Sequence, residues 1–82
     1  MPAQAHFSID KPDNQRLASL CGALDAHLRL IESALDVRIS RRGSHFTLSG
    51  QGQEPARAAS LLGRLYHAHR HPLSPEDIQL AI

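Results

Sequence analysis

Two short stretches of the chain carry residue types that could hold a phosphodiester strand. The first is Gly22-Ala23-Leu24-Asp25, a glycine break between two helical patterns. A glycine at such a junction lets the backbone approach a phosphate closely. The N-terminus of the following helix then offers free amides and a favourable dipole. The second is Arg41-Arg42-Gly43, with Arg38 and Ser40 just before it and His45 just after. Arginine presents a planar fork of donors that suits phosphate and stacks on bases. Gly22, Ala23, Leu24 and His27 on one side, with Arg38, Ser40, Arg41 and Arg42 on the other, are therefore the candidate walls of a nucleic-acid-binding groove. The plainer reading of the second stretch is a solvated hairpin tip whose charges discourage edge-to-edge pairing.

Other chemistries find less support. Among the six histidines, His67 and His71 share a helix face at the spacing of helical zinc ligands. No cysteine or carboxylate completes a tetrahedral set beside them, so no metal site is assigned and they read as a solvated helix end. Cys21 is the single cysteine. It excludes an internal disulfide, fits a reducing compartment, and falls four residues after Leu17, as a small core residue would. No nucleophile, base and acid come together in the sequence, and no G-x-x-x-x-G-K-[ST] phosphate loop occurs. The chain is expected to be no enzyme, with no catalytic residue and no cofactor of its own.

The elements that must position these residues follow from periodicity. Leu24, Leu28, Ile31 and Leu35 recur at helical spacing, with Asp25, His27, Arg29 and Glu32 as the wet side and an Asp25–Arg29 ion pair along it. After Leu35 the period changes to two. Val37 and Ile39, then Phe46 and Leu48, form one apolar hairpin face; a turn centred on Arg42-Gly43 sets Ile39 opposite Phe46. Ala5 to Ile9 reads as a first strand, ended by Lys11-Pro12. Asp13 or Asn14 caps a short helix whose inner face is Leu17, Leu20 and Cys21. After a flexible Gly50-Gln51-Gly52, Pro55 opens a helix with Ala58, Leu61, Leu62, Leu65 and Ala68 inward and Tyr66 at the border. Pro72 stops it. Ser74-Pro75-Glu76-Asp77 then starts another helix.

The 82 residues, 41% of them hydrophobic, suffice for one small domain, and the net charge of +1 does not announce a nucleic-acid binder. Eight of the nine basic residues are arginine. No secretory signal or membrane-spanning run is legible, so the expected location is the cytoplasm, without membrane association. The expected fold is α+β: a two-layer sandwich with a three-stranded antiparallel sheet and helices on one face.

Strand–helix–glycine loop–helix–strand–strand–helix resembles the type I KH order, β-α-α-β-β-α, in which a GXXG loop clamps single-stranded nucleic acid. Here the first glycine is Gly22 and the second position is Asp25, whose charge repels a phosphate. The run from Leu17 to Glu32, the run from Arg38 to Gly50, and the ending Pro75 to Ile82 are together similar to the N-terminal region of PhoH-like proteins, the phosphate-starvation-inducible ATPases. The expected organisation is a disordered stretch at 1–4, a KH-like domain at 5–71, and at 72–82 a linker with the start of a truncated helix, whose apolar stripe of Ile78, Ala81 and Ile82 is cut short. A cytoplasmic P-loop ATPase domain would follow, and ATP and magnesium would belong to it. The implied partners are single-stranded RNA, that C-terminal ATPase domain and a ribosome-maturation endoribonuclease. The rival reading is a protein-interaction or assembly domain that has kept the fold and lost RNA binding.

Overall fold

The computed structural model of the protein describes residues 2–68 and 72–82. Three strands, β1 (Pro2–Ser8), β2 (Arg38–Arg42) and β3 (His45–Gln51), form one antiparallel sheet in the order β1-β3-β2. The first strand starts earlier than its alternating pattern suggests: Pro2, Ala3 and Gln4, expected to be disordered, pair with Gln51, Gly50 and Ser49. The reason lies in β3, which runs through Gly50 and Gln51 instead of loosening there. A Cβ on Gly50 would come within 3.2 Å of the Asp36 carbonyl and the Val37 side chain, so the glycine serves close packing rather than flexibility. Pro2, at the end of an edge strand, forfeits little by lacking a donor.

The β2–β3 hairpin has Arg42 paired with His45, so Gly43 and Ser44 form its two-residue loop. Gly43 has φ +59° and Ser44 is not among the positive-φ residues, the pattern of a type II′ turn with glycine at its first central position. Relative to the expected turn the register moves by two residues, and Ile39 faces Leu48 while Arg41 faces Phe46. A shift of two preserves which face each side chain occupies. Ala5, Phe7, Ile39, Arg41, Phe46 and Leu48 therefore share one face, on which Phe46 and Leu48 are buried. Gln4, His6, Ser8, Arg38, Ser40, Arg42, His45, Thr47 and Ser49 occupy the other. Among the described residues no helix packs on that second face.

Four α-helices follow from the expected signals among the described residues: α1 (Asn14–Cys21), α2 (Ala26–Leu35), α3 (Glu54–Ala68) and α4 (Pro75–Ala81). Asp13 is the cap of α1, its Oδ1 accepting from the Gln15 and Arg16 amides at 2.9 and 3.2 Å. Leu20, Leu28, Ile31, Phe46, Leu48, Leu61, Leu62 and Leu65 make one continuous core. Tyr66, expected at the border, is buried; its hydroxyl accepts from the Asp13 amide at 3.0 Å and so ties α3 to the start of α1.

Three expectations for the second helix are corrected. It begins at Ala26 rather than near Leu24, and Leu24 lies outside the apolar stripe, almost wholly exposed. His27, expected on the wet side, is buried. Asp25 pairs across space with Arg41 instead of along the helix with Arg29. Glu32 also has a task beyond solvation, its Oε2 accepting from the Ile39 amide at 2.8 Å on the open edge of β2.

The C-terminal helix joins the core. Ser74 and Asp77 close a reciprocal capping box, and Ile78 is 0% exposed within the same cluster as Leu28 and Leu62. The Leu73 amide donates to Ser19 Oγ at 2.6 Å, which fixes the chain entering α4 against α1. Ile78→Ala is expected to lower the stability of the whole domain by about 2–4 kcal/mol in urea unfolding, with a single transition retained. Separate melting of a C-terminal segment would contradict that integration.

Candidate nucleic-acid interface

The junction between α1 and α2 is built around glycine and histidine. Gly22 has φ +77°, and a Cβ there would lie 2.8 Å from the His27 ring. Both the backbone angle and the space therefore demand glycine. The His27 ring is 5% exposed, and its Nδ1 lies 2.9 Å from the Ser19 carbonyl. That oxygen can only accept, so Nδ1 carries the proton. One buried imidazole thus links the last turn of α1 to the first turn of α2.

Beyond Gly22 the chain makes a single 3-10 turn, Ala23–Asp25, in which Leu24 (φ 53°, ψ 34°) and Asp25 (φ 59°, ψ 28°) are both left-handed. Aspartate tolerates this region, whereas leucine pays roughly 1–2 kcal/mol for it. The result is a loop that thrusts Leu24 into solvent, 93% exposed. Asp25, at the capping position of α2, makes no side-chain bond to the helix amides. Its carboxylate turns instead to Arg41, with Oδ1 3.4 Å from Nη2.

Both residues of that contact line an open groove of about 420 Å³. Asn14, Leu17, Ala18 and Cys21 of α1 form one wall, at the i, i+3, i+4, i+7 positions of a single helix stripe. Gly22, Leu24 and Asp25 form the end, and Arg41 closes the other side. Arg41 is steered there by its place in the sheet, since it lies on the helix-facing side at the end of β2 where the helices no longer cover it. Its Nη1 donates to the Gly43 carbonyl at 2.9 Å, which fixes the guanidinium against the hairpin tip.

The groove brings together Gly22, Leu24 and Arg41 from the residues expected to form it; Ala23 is exposed beside them. It does not include the rest. Arg38, Ser40 and Arg42 belong to the opposite, helix-free face, because strand residues alternate and Arg41 takes the inward position. His27 supports the loop from beneath rather than reaching a ligand. Sequence reasoning assigned Leu17 and Cys21 of this stripe to the core, and read Asp25 as a replaced loop glycine and as a partner for Arg29. Asn14 and Ala18, four apart, were the available signal for a partly open helix face.

Cys21, in the α1 wall of the groove, is buried. Burial pushes its thiol pKa up; Arg41 pulls it down and Asp25 raises it further. Such a thiol is a weak nucleophile at neutral pH. Among the described residues no three His, Cys, Asp or Glu side chains gather as a possible metal set. His71, one half of the suggested helical pair, lies outside the described residues, as does His69. Among the described residues no helix is long and apolar enough to cross a membrane.

Two outcomes check this geometry. Gly22→Ala should destabilise the fold by about 2 kcal/mol or more, and by less in a His27→Ala background, a coupling that a double-mutant cycle in urea reads directly. Cys21 should react slowly with a disulfide reagent at pH 7.5 and at the rate of a free thiol once the protein is unfolded; fast native labelling would contradict its burial. No protein-family model matches the chain, and no solved structure matches it significantly.

Proposed function

We propose that this chain is a KH-like module that holds single-stranded RNA in the groove between Gly22–Asp25 and Arg41. The observation that carries the reading is the left-handed glycine loop facing an arginine across an open groove with a partly apolar wall. The elements from β1 to α3 follow the order β-α-α-β-β-α, with α4 added after them, and together with the sheet order β1-β3-β2 this supports the type I KH-like reading. Backbone strain at an exposed, bulky residue such as Leu24 is also a feature that clusters at ligand-binding sites. Within the similarity to PhoH-like proteins, the module would deliver RNA to a neighbouring cytoplasmic ATPase domain that itself binds ATP and magnesium.

One observation favours the second reading, a protein-interaction domain without RNA binding. Arg41, the one arginine of the groove wall among the described residues, already has a carboxylate beside it. The pair is part-exposed and long, however, so its contribution is small, within about 1 kcal/mol, and a phosphate can compete for Arg41.

An NMR titration with a mixed-sequence single-stranded RNA at low salt separates the two. The first reading expects shifts at Gly22, Leu24 and Arg41, with affinity falling steeply as salt rises. Arg41→Ala should weaken binding, whereas Arg38→Ala and Arg42→Ala, on the helix-free face, should change it far less. The second reading expects no shifts with RNA, and shifts on adding an ATPase domain or a ribonuclease partner.

A further inference from the structure

Asp25 departs furthest from its ordinary local chemistry. An aspartate at a helix start commonly turns its carboxylate back onto the first amides. Here it makes no such bond, and its left-handed backbone sends Oδ1 towards Arg41 Nη2 at 3.4 Å. No other described residue hydrogen-bonds that carboxylate, which is about half exposed, so Oδ2 remains open to a ligand. The groove end therefore presents two acceptor oxygens directly beside a guanidinium, with the exposed Leu24 adjoining them.

A phosphate meets repulsion from that arrangement, but one base edge matches it. Read in order, guanine offers N2–H and N1–H, two donors, and then O6 and N7, two acceptors. Adenine alternates acceptor, donor, acceptor; uracil does the same through O2, N3–H and O4; cytosine places two acceptors before its single amine. Only guanine meets a carboxylate with paired donors and the neighbouring guanidinium with acceptors. Unstacked bases of single strands are read along these edges, and arginine to O6 and N7 is the commonest guanine contact in duplex DNA.

We infer that Asp25 and Arg41 together read a guanine base of the bound strand. This rests on the groove reading above and adds the base preference. Asp25 accepts from N1–H and N2–H, Arg41 donates to O6 with N7 beside it, and Leu24 packs against the base face. The same carboxylate that weakens phosphate binding thereby becomes the source of selectivity. The ion pair loosens at small cost to admit the base, being long and part-exposed.

Fluorescence anisotropy with labelled oligouridine hexanucleotides tests this, each carrying one guanosine, adenosine, cytidine or inosine at a central position. The guanosine strand should bind about tenfold tighter than the adenosine or cytidine strand, with inosine, which lacks the N2 amine, in between. Asp25→Asn should abolish the preference, bringing the guanosine and adenosine strands to equal affinity. The inosine comparison uses the unaltered protein and needs no variant to fold. Equal affinity for the guanosine and adenosine strands would overturn the inference and leave the groove reading intact. Binding of no strand at all would overturn both. Competition by guanosine monophosphate as effective as by the strand itself would also overturn it, leaving a free nucleotide as the ligand.

Discussion

The contact between Gly22 and the His27 ring is the constraint on which the rest of this structure depends. The ring sits where a Cβ would otherwise be, and its proton is held by the Ser19 carbonyl. Ser19 also accepts from the Leu73 amide through its hydroxyl. One residue of α1 thus fastens both the loop that follows it and the chain segment leading into the last helix. Because the junction is pinned from below, the left-handed residues above it can hold an unfavourable conformation without the helices drifting apart. Local strain persists where the surroundings over-determine it.

The alternation of β2 then decides what the loop faces. Of the arginines near the hairpin tip, the inward one reaches the groove and its neighbours are carried to the far side of the sheet. A cluster that looks continuous in sequence is therefore split into two surfaces of different character. One is a narrow, mixed-charge cleft against α1. The other is a broad polar sheet face with arginines and histidines and no helix over it. The small net charge of the chain reflects neither surface by itself.

Much of the architecture was legible in the residues. The switch of period after Leu35, the Ser74 cap with its proline and acids, and the stripe of leucines after Pro55 each produced the expected element. The failures share a cause. Leu24 continues a helical spacing yet lies in the loop, because Gly22 demands a sharp turn before the helix can start and periodicity does not register backbone sign. The hairpin register followed the glycine's place in the turn: Gly43 occupies the first loop position instead of the second, and pattern alone cannot distinguish shifts of two. For the groove, the glycine and one arginine were identifiable from local chemistry. The role of Asp25 was not, since a charge pair across sixteen residues leaves no local trace. His27 likewise looked like a surface residue until its ring was seen beneath the glycine.

The bond from Ile39 to Glu32 has a consequence for how the sheet ends. Strand β2 lies at an edge, where unpaired amides invite another chain to add itself as a further strand. Glu32 occupies one of those amides, that of Ile39, and Arg38, Arg41 and Arg42 put charge along the same strand. Glu32 thereby removes one of the donors with which an added strand would pair.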